Sequence, residues 1–480
     1  MAVKDHSPIT VSAASANDAA PLSPQSRSYF GTDGIRGCAN IFPMTVDMAL
    51  RVAMATARVM KRDQTNTIGH AGHSRVLIGK DTRSSGYMLE QAMAAGFLAM
   101  GMEVVLTGPI PTPAVAMLTR SLRADIGVMI SASHNKFQDN GIKLFGHDGY
   151  KLPDQVEHEI EEWIDRDDLT TLDLPTPEHI GHATRMEDAV GRYVEFVKSS
   201  FPRGQTLNGL KIVVDCAHGA AYRVAPLALW ELEADVIAIS THPNGRNINH
   251  ECGATHTDLL RSKVVEMGAD VGIALDGDAD RLIMVDEHGE VIDGDQLIAL
   301  LATYYAAQGK LAHKTVVTTV MSNLGMERYL AAQNITLLRT AVGDRYVVER
   351  MRDGGFNLGG EQSGHIILSD FGTTGDGLMA ALQVLSILKD RGGKASDLLR
   401  VFTAVPQKLK NIKFESGRKP LDQPEVQEAI KLAESKIAGT GRLLVRASGT
   451  EPLIRIMVEA DDPNLIDKII QDLSVIIEKN

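Results

Sequence analysis

Cysteine is nearly missing from this chain. Only Cys38, Cys216 and Cys252 occur in 480 residues. An odd, widely spaced set excludes a disulfide framework and any zinc-ligand spacing, and it fits a reducing cytoplasm. Basic charge is also short: 49 Lys and Arg stand against 61 Asp and Glu, a formal net charge of −12. That excludes general nucleic-acid binding, which needs a basic face. An anionic ligand would have to be held by a local cluster of Arg and Lys. No apolar run approaches the length of a membrane span, so no membrane partner is expected. The opening stretch MAVKDHSPITVSAASANDAAPLSPQS lacks the continuous apolar segment of a signal peptide. Its Ala, Ser, Pro and Asp content predicts a disordered leader over residues 1–26.

What is present is an ordinary globular composition, 44% hydrophobic and 23% charged, long enough for three or four domains. Three segments share one design of β-branched strand, small-residue loop and helical stretch. They are RVLIGKDTRSSG with MLEQAMAAGFLAMG, KIVVDCAHGAA with VAPLALWELEA, and KTVVTTVMSNLG with MERYLAAQ. Near-continuous Val/Ile runs predict strands buried on both faces, and their alternation with helical patterns predicts βαβ units. The last segment differs. KLKNIKF and RLLVRASGTEPLIRIMVEA read as strands, with amphipathic helices at PEVQEAIKLAESKIAG and NLIDKIIQDLSVIIEK. The stretches EHEIEEWIDRDDLTTLDLPTPEHI and PQKLKN read as boundary regions.

Four loops carry chemistry. In DGDADR, Asp276, Asp278 and Asp280 alternate with small residues, so three carboxylates face one way. They repel each other unless a cation neutralises them, and oxygen-only ligands suit a hard ion such as Mg²⁺. Glu287 at the twelfth position imitates a calcium-binding EF-hand, but Arg281 stands where that loop needs glycine. A Mg²⁺ site of this kind commonly takes a phosphate oxygen, for which the hydroxyls of Ser131 and Ser133 in SASHN are candidates. No G-x-S-x-G elbow surrounds Ser133, which speaks against a Ser-His-Asp hydrolase. In GGEQSGH, Gly359, Gly360 and Gly364 allow tight bending, while Glu361, Ser363 and His365 supply the mixed donors and acceptors a hexose needs. In RASGTEPLIR, Arg446, Ser448, Gly449 and Thr450, with Arg455 in the next strand, suit a phosphate dianion.

Taken in order, YFGTDGIRG, SASHN, DGDADR, GEQSGH and RASGTEP resemble the α-D-phosphohexomutase superfamily over nearly everything after the leader. FGTDGIRG, Gln362 within GEQSGH, DCAHGAAY and INHECGATH resemble its bacterial branch acting on glucosamine phosphates; a branch acting on mannose or glucose phosphates is the alternative. Two positions depart from the family pattern: Lys136 where proline often follows SHN, and His218 where asparagine is usual. The fold then expected is α/β. Three related α/β domains with mixed sheets, at residues 27–186, 187–293 and 294–404, precede a smaller α+β domain at 405–480 around a central cleft.

The resemblance implies an isomerase that transfers phosphoryl groups intramolecularly, activated by phosphorylation of Ser133. The phosphate on Ser133 would be the fourth ligand of one Mg²⁺, beside Asp276, Asp278 and Asp280. Arg36, Lys143 and Arg281 would line the reacting centre. Glu361, Ser363 and His365 would hold sugar hydroxyls, and Arg446, Ser448, Gly449, Thr450 and Arg455 would grip the phosphate not in transfer. Lys143, His365 and, less directly, His134 are candidates for moving protons. The implied partner is a small sugar phosphate, and the resemblance leaves room for a homodimer. A hinge near residue 405 would open and close the cleft.

Overall fold

The computed structural model describes residues 28–63, 74–171, 173–415, 418–447 and 453–479. The expected leader over 1–26 therefore lies outside the described residues. Four sheets follow one another along the chain, with seven, five, four and three strands.

The first three sheets repeat one plan. In the first, the strand Arg75–Lys80 lies between Glu103–Pro109 and Ile126–Ile130, parallel to both, and Asp139–Gly146 joins antiparallel to the third strand. The second sheet repeats this with Lys211–Asp215 between Asp235–Ile239 and Val271–Leu275, and Leu282–Asp286 antiparallel beyond. The third repeats it with Thr315–Thr319, Thr336–Thr340, Leu358–Gly360 and antiparallel Ile366–Leu368. The order is 2-1-3-4 each time, so three related α/β units with mixed sheets are what the chain builds. The strands IGVMI, VGIAL and TVVTT are buried at every residue, as strands covered on both faces must be.

This plan places the chemistry. The loop joining the third and fourth strands leaves the carboxyl end of a parallel strand, where open α/β sheets put ligands. It carries SASHN in the first unit, DGDADR in the second and EQSGH in the third.

One large apolar core runs through the first three units, from Leu77 to Leu399. The fourth unit has its own core, formed only by residues between Ile412 and Ile477. There the helices Pro424–Lys436 and Pro463–Lys479 cover the antiparallel strands Gln407–Lys413, Leu453–Ala460 and Gly441–Ala447. One expectation needs correcting. The stretch beginning EHEIEEW is no boundary in its first half: it belongs to the helix Asp154–Ile164, whose Ile160 and Ile164 are buried in the first unit's core. Its acids mislead because their partners are remote. Glu161 accepts the backbone N–H groups of Ser28, Tyr29 and Phe30, and Glu157 pairs with Arg345.

Candidate active site

Ser133 sits in the left-handed region at φ 50° and is buried. Its N–H donates to Ser131 Oγ at 2.9 Å, and its hydroxyl donates to Asp276 Oδ2 at 2.6 Å. Residues 143 positions apart in the chain thus meet as the sequence suggested. Asp276, Asp278 and Asp280 are all buried, with one carboxylate oxygen from each within 4.8 Å of the others. Asp278 Oδ2 accepts from Thr112 Oγ1 at 2.6 Å and from Lys143 Nζ at 2.9 Å. Lys143 Nζ also lies 3.2 Å from Asp280 Oδ2 and 3.1 Å from Asp33 Oδ2.

The titration of these groups reports how crowded the charge is. Burial, then Asp280 and Asp278, drives the Asp276 carboxyl well above its usual range. Burial opposes ionisation of Asp278 too, but the Lys143 ammonium and the Thr112 hydroxyl outweigh it and hold that carboxyl low. Burial likewise opposes the charge on Lys143, and three carboxylates overcome it, so the ammonium persists. His134, whose Nδ1 is 3.5 Å from Ser133 Oγ, is pushed down to about 4 by burial and by Arg281 and Arg36. It is neutral near pH 7.

The trio fits a hard divalent cation. Asp278 Oδ1 and Asp280 Oδ1 are buried with no hydrogen-bond partner among the described residues, and an orphaned buried carboxylate oxygen is costly unless a cation takes it up. The EF-hand imitation fails as expected, because Glu287 turns to Ser396, accepting from its N–H at 3.0 Å and its hydroxyl at 2.6 Å.

The third loop packs directly on the second. Leu282 N–H donates to Gly364 O at 2.9 Å, and a Cβ on Gly364 would stand 2.1 Å from Leu282 O at φ +92°. Only glycine allows that approach. It brings His365 Nε2 to 3.9 Å from Asp280 and 3.7 Å from Asp344, yet neither ring nitrogen makes a hydrogen bond. Glu361 Oε1 accepts from Gly343 N–H at 3.2 Å, and Ser363 is exposed. Gln362 donates to Asp293 Oδ2 at 3.1 Å. Arg36 pairs with Asp33 and points Nη1 at Ala132 O, 3.5 Å away. Arg281 Nε lies 4.0 Å from Asp280 Oδ1.

The fourth loop stands apart. Arg446 and Arg455 are cross-strand partners in the register, and among the described residues neither forms an ion pair with a carboxylate. Two like charges face to face are unfavourable. Burial and Arg455 together lower the Arg446 pKa, and Arg455 Nε is buried without a partner among the described residues. A bound anion would relieve both. Ser448, Gly449 and Thr450 lie outside the described residues.

Sequence reasoning missed a second row of charge. Lys151 bridges Asp33 in the first unit and Asp344 in the third, with Arg36, Lys143 and His365 around them. Asp33 lies inside the quoted YFGTDGIRG, three residues before Arg36, and that spacing was a usable signal. Lys151 and Asp344 had none, because their pairing spans 193 positions.

Comparison with known proteins follows the same four units. Family models described as phosphoglucomutase/phosphomannomutase match in four pieces: alpha/beta/alpha domain I at residues 27–171, domain II at 191–289, domain III at 293–405 and the C-terminal domain at 409–474. The phosphoglucosamine mutase of Agrobacterium fabrum is 60% identical over 451 residues, covering 94% of this chain and 98% of that protein. That of Sinorhizobium medicae is 59% identical with the same coverage. Among solved structures, a phosphoglucomutase/phosphomannomutase family protein from Burkholderia thailandensis superposes with a TM-score of 0.76 at 22% identity, covering 93% of this chain and 96% of that one. Aspergillus fumigatus N-acetylphosphoglucosamine mutase in complex with GlcNAc-6P and magnesium superposes with a TM-score of 0.63 at 19% identity, covering 95% and 96%.

Proposed function

Because the chain belongs to the phosphoglucomutase/phosphomannomutase family, we propose that this site interconverts glucosamine 6-phosphate and glucosamine 1-phosphate. The reaction class is isomerisation by intramolecular phosphoryl transfer. Relatives matched at 58–60% identity over almost their whole length are phosphoglucosamine mutases, and they favour the amino sugar over mannose or glucose. The observation that carries the mechanism is the 2.6 Å hydrogen bond from Ser133 Oγ to Asp276, one of the aspartate trio.

In this reading Ser133 is the phosphorylated residue, and Asp276, Asp278 and Asp280, with the phosphate on Ser133, would hold one Mg²⁺. Bound there, the ion would offset the negative charge of a loose phosphoryl-transfer transition state. Arg36, Lys143 and Arg281 face the same charge and are fixed before the reaction begins. Glu361, Ser363 and His365 hold the sugar. Arg446 and Arg455, with Ser448, Gly449 and Thr450, hold the phosphate at rest. As the free sugar hydroxyl bonds to phosphorus, the Ser133 Oγ–P bond breaks; the hydroxyl loses its proton and Oγ regains one. The resulting bisphosphate turns end for end, and Ser133 recovers the other phosphoryl group. Lys143 is committed to three carboxylates while His365 has two free ring nitrogens, which favours the histidine as proton carrier. His134, held neutral near pH 7 by burial and by Arg281 and Arg36, is the lesser candidate. Functional units at 27–186, 187–293, 294–404 and 405–480 each contribute one loop. The product would feed amino-sugar nucleotide synthesis for the cell wall in the cytoplasm, a setting that suits three free cysteines. Among the described residues no helix is long and apolar enough to cross a membrane.

The test is a parallel assay with glucosamine, mannose and glucose 1-phosphates in magnesium, with intact mass spectrometry of the purified chain. Fastest turnover of the glucosamine substrate and one added phosphate mapped to Ser133 are expected. Release of inorganic phosphate at the turnover rate would make the protein a phosphatase and overturn the reading.

A further inference from the structure

The backbone around Ser133, whose hydroxyl reaches Asp276, is held by side chains of two units. On one side Arg83, fully buried, anchors its Nε on Asp81 Oδ2 at 2.8 Å. Its Nη2 donates to Ser133 O at 2.9 Å and Asn135 O at 2.8 Å, while Nη1 donates to Lys136 O. On the other side stands Asn249 of the second unit, 2% exposed. Its Nδ2 donates to the same two carbonyls, Ser133 O at 2.8 Å and Asn135 O at 2.9 Å.

Each carbonyl therefore takes one donor from each unit. Packing alone does not explain the amide. Asn249 Oδ1 is buried with no partner, which costs about 1–3 kcal/mol. Asn249 also sits at φ 55°. The clamp touches the metal loop as well. A Cβ on Gly277 would come within 2.5 Å of Ser133 O and 2.7 Å of Asn249 Nδ2. One amide thus lies against the loop of Ser133 and the loop of the aspartates together.

We infer that Asn249 and Arg83 are positioning residues for phosphoryl transfer, setting the Ser133 loop of the first unit at a fixed distance and angle from the aspartates of the second. The inference rests on the proposed phosphoserine mechanism. Asn249 touches neither substrate nor reacting atoms; it acts through the carbonyls that hold Ser133 in its left-handed conformation. Misplacing a reacting group by about 1 Å costs on the order of 10²-fold in rate.

The experiment compares Asn249→Ala and Arg83→Lys with the parent chain, using glucosamine 1-phosphate with a saturating sugar bisphosphate, so that the phosphorylation level of Ser133 is not limiting. For Asn249→Ala, kcat should fall roughly 10–100-fold while KM and the melting temperature stay within about twofold and a few degrees. Arg83→Lys keeps the charge but loses the fork that spans three carbonyls, and should show the same kcat-only loss. Unchanged kcat in Asn249→Ala, or a rise in KM at constant kcat, would overturn the inference. Should Asn249→Ala fail to fold, Asn249→Asp decides instead. It preserves shape but offers acceptors to two carbonyls, and a folded variant with parental kcat refutes the clamp. A parent chain with no mutase activity would instead sink the functional reading itself.

Discussion

The seam between the first and second units and the seam between the third and fourth are built in opposite ways. At the first, a continuous apolar core is shared across the boundary, and hydrogen bonds such as Thr112 to Asp278 and Asn249 to Ser133 run straight to the serine and the aspartate trio. At the other, each side has a core of its own, and the junction is polar. Arg442 donates to Val320 O at 2.8 Å and Ser322 O at 2.9 Å and pairs with the buried Glu459, which itself accepts Leu324 N–H at 3.1 Å. Asn323 brackets Val405 with bonds of 3.0 and 2.9 Å. Polar junctions between separate cores are where relative domain motion is expected. The seam that brings Ser133 to the aspartate trio is locked, and the unit that carries Arg446 and Arg455 hangs on a few polar contacts.

The sharpest way to break this contrast is to strike the locked side. Ser133→Ala should lower turnover by roughly 10³-fold or more with no change in melting temperature; turnover within tenfold of the parent would remove the covalent role. On the hung side, Arg446→Ala should raise KM while kcat changes little. Loss of a charged hydrogen bond is about 1.5–3 kcal/mol, or roughly 10–150-fold. Equal loss in kcat would mean that the two regions are not separable. Next, Glu459→Gln leaves Arg442 facing no anion at the junction. Hydrogen exchange should show amides of residues 405–479 opening faster by about tenfold while strands of the first unit keep their protection. Uniform loosening would mean that the fourth unit does not move by itself.

The smallest effect concerns Asp295, which links the two regimes by accepting Asn323 N–H at 2.7 Å. Burial, then Asp293, raises its carboxyl to about 7 from an ordinary 3.8. The folded state therefore holds this proton more tightly than the unfolded chain does, so stability falls as pH climbs from about 4 to about 7. Asp295→Asn should flatten that slope and raise the melting temperature at pH 8 by about 2–4 °C, with no gain at pH 4. A gain that is the same at both pH values would show that the carboxyl does not titrate in this window.

Legibility followed distance along the chain. The Val/Ile strands and the Asp-x-Asp-x-Asp loop carry their meaning within a few residues, and the fold and the trio could be read from them. The pairing of Ser133 with that trio also came through, because a cluster of carboxylates demands a counterpart. Nothing local announces that Arg83 and Asn249 grip the same two carbonyls, or that Lys151 bridges Asp33 and Asp344. Such contacts exist only once three sheets are assembled. Acidity near residue 160 was misread for the same reason, since Glu157 and Glu161 are solvated by partners more than a hundred positions away.

The shared strand plan has a consequence for how such a catalyst can change. SASHN, the aspartate trio and EQSGH each occupy the matching hairpin of a different repeat, so under the proposed mechanism labour is divided among copies rather than along one. Under that mechanism, rewriting the third hairpin would alter which sugar is welcomed while Ser133 and the aspartates in the other two keep their alignment. A new substrate would then be adopted through one short graft, with the alignment of the other two hairpins inherited intact.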